Sequence, residues 1–270
     1  SAGSFDVMKN LSRKTLEALK ENYLIDKIKL SKRQDSRDGT IKSGFKLHDG
    51  YLVEGVLIPS KNRVTACISS QVGCSMTCKF CATGQLKRER NLNAAEIYDQ
   101  VVEIMDQAEE KHNKPLSNIV YMGMGEPLLN YNEVIRSIEK VCSPEGLGIS
   151  PKRITVSTVG IAKMIKKLGD DQVRFNLALS LHAANDEKRS SIMPINDQNS
   201  LETLADALIY FHEKTGTRVT FEYIIFKDFN DMLVDAKELA NFCKNVPCKV
   251  NIIEYNPIDS LWSFFILGIK

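Results

Sequence analysis

Residues 63–84 read RVTACISSQVGCSMTCKFCATG. Positions 63–71 carry the apolar, β-branched alternation of a strand, and the loop that follows holds Cys74, Cys78 and Cys81 at spacings of four and three. Cys67 sits inside the strand, so four of the chain's seven cysteines fall within fifteen positions. A strand that delivers clustered thiols to a loop sets the question for the rest of the chain: what carries that strand, and what do the thiols hold?

Five further strand-like runs follow: SNIVYMG (117–123), RITVSTVG (153–160), FNLALSLH (175–182), RVTFEYIIF (218–226) and CKVNIIEYN (248–256). Helical periodicity lies between them. One helix opens on Asn93 and Glu96 and another on Asn130 and Glu133, both in capping-box spacing; more are expected at about 161–169, 200–214 and 232–244. Six β-then-α units predict an α/β fold with a parallel sheet covered by helices, either an open doubly wound sheet or a partial (βα)6 barrel. Residues 1–60 break this rhythm. LSRKTLEALKENY (11–23) reads as an amphipathic helix, and GTIKSGFKLHDGYLVEGVLIP (39–59) as a β-hairpin turning at Asp49-Gly50. The expected organisation is a helix-plus-hairpin extension over 1–60, a barrel over 61–260 and an atypical tail over 261–270.

The barrel expectation is supported by where the chemically useful residues fall. In (βα) barrels the working groups stand at the C-terminal ends of strands. Here the cysteine loop follows the first barrel strand and GMGEP (123–127) the second; Ser157 closes the third, Ser180 and His182 the fourth, and Asn256 the sixth. All would project from one rim.

Composition narrows the class without naming the ligand. With 43% hydrophobic and 26% charged residues in 270, the chain can bury a full core. Lys and Arg number 36 against 34 Asp and Glu, so net charge makes no case for nucleic acid. Residues 9–48 are locally basic, with eleven Lys/Arg against five acids, as is the run Lys79, Lys87, Arg88 and Arg90 around the cysteine loop; either could face phosphates or simply be solvated. No signal peptide opens the chain and the longest apolar run, 261–269, is too short to span a bilayer, so the expected setting is a reducing, cytoplasmic one with no membrane partner. There, clustered thiols serve metals or redox chemistry. Zinc would need a closed set of four ligands, and a dithiol pair would leave Cys74 idle. An iron–sulfur cluster held by three thiolates, with one iron left open, suits C-x3-C-x2-C best.

CSMTCKFC, with an aromatic residue just before its last cysteine, resembles the signature of the radical S-adenosylmethionine (radical SAM) enzymes, and GMGEP resembles that group's segment contacting the methionine amino group. Seven blocks, among them SSQVGCSMTCKFCATG, YMGMGEPLLNY, LALSLHAANDEKRSSIMPIN and VNIIEYNPID, make nearly the whole chain similar to the RlmN/Cfr family of radical SAM RNA adenine methyltransferases. The resemblance implies a TIM-like radical SAM barrel and a 4Fe-4S cluster on Cys74, Cys78 and Cys81. It implies S-adenosylmethionine contacts from Gly125, Glu126, Ser157, Ser180, Leu181, His182 and Asn256. It further implies methylation at C2 of an adenosine in 23S rRNA and tRNA, with an electron donor such as flavodoxin or ferredoxin. Alternatives are a C8-methylating relative and a non-catalytic RNA- or metal-binding barrel. Glu54 would be the general base. Cys67 would be a second functional thiol, releasing product by a disulfide bond to a methyl-carrying C-terminal cysteine. No cysteine follows Cys248, so this chain is expected to be a C-terminally truncated form whose own methyl transfer is in doubt.

Overall fold

The structure, a computed structural model, describes residues 4–23 and 25–256. Eleven strands and seven α-helices follow in chain order. The helix α1 (Arg13–Asn22) precedes β1 (Lys29–Asp35), β2 (Ile41–Lys46) and β3 (Leu52–Pro59). Then come β4 (Val64–Cys67), β5 (Gln71–Val72), β6 (Arg90–Asn91), α2 (Ala94–His112), β7 (Asn118–Tyr121) and α3 (Tyr131–Cys142). The remainder runs β8 (Ile154–Thr158), α4 (Ala162–Asp170), β9 (Asn176–Ser180), α5 (Asp186–Ile192), α6 (Leu201–Thr215), β10 (Val219–Ile225), α7 (Leu233–Asn245) and β11 (Cys248–Glu254).

Nine strands form one sheet in the order β1-β2-β3-β4-β7-β8-β9-β10-β11. From β4 onward every neighbour is parallel, with a helix-bearing crossover between successive strands, which is the expected (βα)6 unit in order. The hairpin β2–β3 does not stand apart: β3 pairs antiparallel with β4, so the upstream residues continue the barrel sheet itself. Its turn is tighter than a free loop, with Leu47 N–H donating to Tyr51 O and Gly50 at φ +89°. The strand β1, KLSKRQD, has no apolar alternation and was not expected. It lies exposed on the edge beside β2, where its Lys and Arg side chains blunt further strand pairing.

Alternation of burial explains the layer arrangement. In β4, β7 and β8 every second residue is buried and the others half-buried. The buried set, including Ala66, Ile119, Tyr121, Ile154 and Val156, faces the helices and joins the core with Ile97, Ile104, Ile165 and Leu208. Each such aliphatic side chain removed from water contributes about 1.5–3 kcal/mol. The opposite face is the concave one, and it carries Cys67, Ser157, Ser180 and Glu222 at half-buried positions.

The cap of α2 is as expected, with Asn93 Oδ1 accepting from Glu96 N–H and Glu96 returning the bond to Asn93 N–H. The cap of α3 is not. Asn130 makes no capping bond, because a short 3-10 turn, Pro127–Asn130, already leads into the helix. Its amide instead donates to Ser70 O (2.9 Å) and Leu92 O (2.7 Å), and Glu133 accepts from Ala94 N–H at the start of α2. Asn130 is thus a staple between the loops after β4 and β7. Asn130→Ala takes the side-chain donor from Leu92 O and one of two donors from Ser70 O, which also accepts from Leu92 N–H, and is expected to destabilise by about 1–3 kcal/mol, read as a lower melting temperature. An unchanged melting temperature would show that water replaces the amide.

Candidate active site

The loops after β4 and β7 are laced together by main-chain bonds. Gly123 N–H donates to Ile68 O, Ser70 and Gln71 N–H both donate to Met124 O, and Glu126 N–H donates to the Gln71 side chain at 2.8 Å. Only glycine allows this approach at position 125: its φ is +98°, and a Cβ there would meet Gln71 Cβ at 2.5 Å. Gly73 is equally constrained, since a Cβ would lie 2.0 Å from Lys87 O where the cysteine loop closes on itself. The loop between is a series of tight turns, with Cys81 N–H on Cys78 O and Gly84 N–H on Cys81 O.

These loops border a cavity of about 230 Å³ at the C-terminal ends of the parallel strands. Cys74, Cys78 and Cys81 line one side, and Gly125, Glu126, Ser157, Ser180 and His182 the other. Larger grooves exist, one of about 570 Å³ beside Tyr131 and Phe175 and one of about 500 Å³ beside Gly50 and Lys87, but they hold none of the expected cluster, cofactor or catalytic residues. Ser157 and Ser180 do not cap the helices that follow, since Ile161 and Asn185 occupy those N-cap positions.

Four sequence-predicted residues, Leu181, Asn256, Glu54 and Cys67, do not reach the cavity walls. The Leu181 side chain is fully buried in the core, so only its main chain is available, and its N–H is committed to Glu222 O. Asn256 is exposed and outside the lining. Glu54 lies on β3, where its carboxylate meets Lys42 Nζ at 2.7 Å. It shares the concave face with Cys67, because Val56 pairs directly with Cys67 and Glu54 stands two residues along. Arg90, read as a possible phosphate contact, is instead tied up with Asp49 and Glu96.

The electrostatics are those of a site built for charged guests. Burial pushes the Cys78 thiol up to about 12, and the neighbouring Cys81, Cys74 and Glu126 add to the rise while Arg189 opposes it. Burial also raises Cys74, and raises Cys67 to about 12. Glu126 is buried and raised to about 7 by desolvation, although Val159 and Leu128 N–H each donate to it. With the Thr158 side chain as a third partner, about one of the carboxylate's four lone-pair positions is left for a further donor. His182, with φ +55°, is lowered to about 3 by burial; Ile224 N–H donates to its Nδ1, so the neutral ring carries its proton on Nε2. Phe80 packs edge-on against it at 4.6 Å.

Sequence reasoning missed several participants. Gln71 and Glu222 line or brace the site; the alternation of Thr220 and Glu222 with apolar residues was the signal for a polar inner face. Arg189 is wholly buried, and within NDEKRSS nothing marked it out from a solvated helix charge. Among the described residues no three or more His, Cys, Asp or Glu groups converge tightly enough for one metal ion. All seven cysteines are free.

Comparison with known proteins agrees with this geometry. The family described as Radical SAM superfamily matches residues 68–242. The probable dual-specificity RNA methyltransferase RlmN of Cytophaga hutchinsonii is 64% identical over 96% of this chain and 71% of its own length. The dual-specificity RNA methyltransferase RlmN of Aliarcobacter butzleri is 43% identical over 95% of this chain and 74% of its own. Among solved structures, a radical SAM methyltransferase from Sphaerobacter thermophilus superposes with a TM-score of 0.88 at 38% identity, covering 95% of this chain and 75% of that one. The cofactors of such enzymes are a 4Fe-4S cluster and S-adenosylmethionine, and three thiols facing a buried carboxylate across one cavity supply the donors for both. The chain is therefore a radical SAM methyltransferase, and it belongs to the family of dual-specificity RNA methyltransferases RlmN.

Proposed function

We propose that this enzyme methylates C2 of an adenosine in 23S rRNA and in tRNA, within the cytoplasm, using an electron donor of the flavodoxin or ferredoxin kind. The observation that carries the reading is the meeting of Cys74, Cys78 and Cys81 with Glu126 in one cavity at the strand ends. When bound, the cluster and S-adenosylmethionine supply a 5′-deoxyadenosyl radical, which is needed because adenine C2 is not a nucleophile.

The chain's own groups bind, orient and move protons. Cys74, Cys78 and Cys81 would hold the cluster. Glu126 would accept from the methionine ammonium through its remaining lone pair, and that cation would offset the burial of the carboxylate. Ser157 and Ser180 offer hydroxyls from the concave face, and the Nε2–H of His182 offers a donor fixed in direction by the bond at Nδ1. Leu181 contributes main chain alone, and Asn256, two residues past the end of β11, is a contact that rests on the family resemblance. Glu54, aligned by Lys42, would take the C2 proton, and Cys67 on the same face would free the product by forming a disulfide with the methyl-carrying cysteine that the resemblance implies beyond Cys248. An unstacked, single-stranded or looped adenosine is required for C2 to reach that face.

The test is anaerobic reconstitution followed by incubation with S-adenosylmethionine, a reductant and adenosine-bearing RNA. Iron and sulfide near four each per chain and 5′-deoxyadenosine are expected from this chain, and 2-methyladenosine by mass spectrometry from a form that also carries the methyl-bearing cysteine. Formation of 8-methyladenosine would move the reaction to the other carbon. Tightly held zinc with no iron–sulfur spectrum would defeat the reading altogether.

A further inference from the structure

The strand β10 brings to the cavity a carboxylate that the proposed chemistry leaves unused. Glu222 stands half-buried on the concave face and lines the cavity together with Ser180 and His182. In register it lies between Ser180 of β9 and Asn251 of β11, so three polar side chains cross the sheet in one row. Its main-chain carbonyl accepts from Leu181 N–H at 3.0 Å and His182 N–H at 3.3 Å, which fixes it against the neighbouring strand end. The carboxylate is less well provided. Asn251 Nδ2 donates to its Oε2 at 2.7 Å, and among the described residues no second side chain bonds to it. One amide fills one lone-pair position and leaves the others for donors that enter the cavity. Burial raises the carboxyl above its ordinary value, and the Asn251 bond opposes this only in part, as for an acid short of donors.

Position selects among the donors that S-adenosylmethionine offers. Glu126, the carboxylate proposed for the methionine ammonium, follows β7, whereas Glu222 sits on β10, three strand spacings or about 14 Å along the curved sheet. The ligand's other donors all belong to its nucleoside half: two ribose hydroxyls and the adenine amine. The amine is flanked by the N1 and N7 lone pairs, which a carboxylate repels. A vicinal diol instead presents two O–H donors side by side, the pairing by which an acidic residue grips the ribose of dinucleotide cofactors. We propose that Glu222 is the ribose-binding residue of this cavity, accepting from the 2′ and 3′ hydroxyls of S-adenosylmethionine while Asn251 holds its carboxylate from the next strand. The assignment rests on S-adenosylmethionine occupying the cavity.

The test uses anaerobically reconstituted protein and two probes, S-adenosylhomocysteine and its 2′,3′-dideoxy counterpart, with affinities measured by calorimetry. Wild type is expected to bind the full probe roughly a hundredfold more tightly, since the dideoxy probe loses two hydrogen bonds to a charged acceptor. In Glu222→Gln the full probe is expected to weaken about tenfold and the dideoxy probe to keep its wild-type affinity. Asn251 is exposed, and Asn251→Ala is expected to weaken the full probe about threefold and again to spare the dideoxy one. Equal weakening of both probes in Glu222→Gln, or of neither, overturns the proposal and leaves Glu222 a polar residue of the inner face. Should that variant not fold, Asn251→Ala decides: selective weakening of the full probe supports the proposal, and an equal effect on the two probes overturns it. Wild type that binds both probes equally also overturns it while leaving the cofactor reading intact. Wild type that takes up iron but binds neither probe fails that reading, and the inference with it.

Discussion

Cys78→Ser is expected to bring iron and sulfide in the reconstituted protein at least tenfold below wild type and to abolish 5′-deoxyadenosine formation. A serine hydroxyl is a far weaker acid and a harder donor than a thiol, so it does not replace a thiolate on iron at neutral pH. Cys78 is the most enclosed of the three loop thiols, and its loop is fixed by turns that include Gly84, whose Cβ would stand 2.7 Å from Cys78 O. The informative comparison is Cys67→Ser. Cys67 belongs to β4 and to the concave face, outside the cavity lining, so its serine variant is expected to keep a full complement of iron. Equal loss of iron in both variants would restore the four-ligand division and remove Cys67 from the reaction.

Glu126→Gln has the second large effect, and pH reveals it. Burial raises this carboxyl from 4.5 to about 7, so the folded chain binds a proton that the unfolded chain releases across that window. Stability contributed by the protonated group is therefore present below about pH 4.5 and is lost as pH rises through about 7, an amount on the order of 3 kcal/mol. The glutamine variant lacks the titration, so the apo protein's melting temperature is expected to fall less between pH 5.5 and 8 than in wild type. The amide cannot take the ammonium as a charge-assisted partner, and S-adenosylmethionine affinity is expected to fall roughly tenfold to a hundredfold. An unchanged affinity by calorimetry would reduce Glu126 to the cap of the turn at Pro127–Asn130.

Much of this was legible because parallel sheets write themselves plainly. Runs such as RITVSTVG and FNLALSLH, separated by capped helices, returned in order as β8 and β9, and the placing of chemical residues at strand ends located the rim. What sequence did not disclose depended on long-range partners. The strand β1 is held by its pairing with β2 rather than by any pattern of its own. Asn130 looked like a cap by spacing, but carbonyls from the loop after β4 compete for its amide. Leu181 and Arg189 are decided by which way a chain turns after β9, where His182 takes a left-handed backbone and Asn230 Nδ2 donates to its carbonyl at 2.7 Å. The proposed base was the least legible of all, since a glutamate in a hairpin strand reads as surface until the sheet is seen to continue through β3.

That continuity has a consequence for how the site can change. Side chains alternate faces along a strand, so a slip of β3 by one residue against β4 would swing Glu54 out of the concavity and bring Val53 or Gly55 in its place, while Cys67 stays, held by the pairing of β4 with β7. The loops bearing Cys78 and Glu126 would be untouched by such a slip in the hairpin strand. A one-residue change of register at this ladder would thus part the proposed base from Cys67 and leave the cofactor side of the site as it is. The two halves of the chemistry are separable by one peptide unit, and the ladder between β3 and β4 is what keeps them in phase.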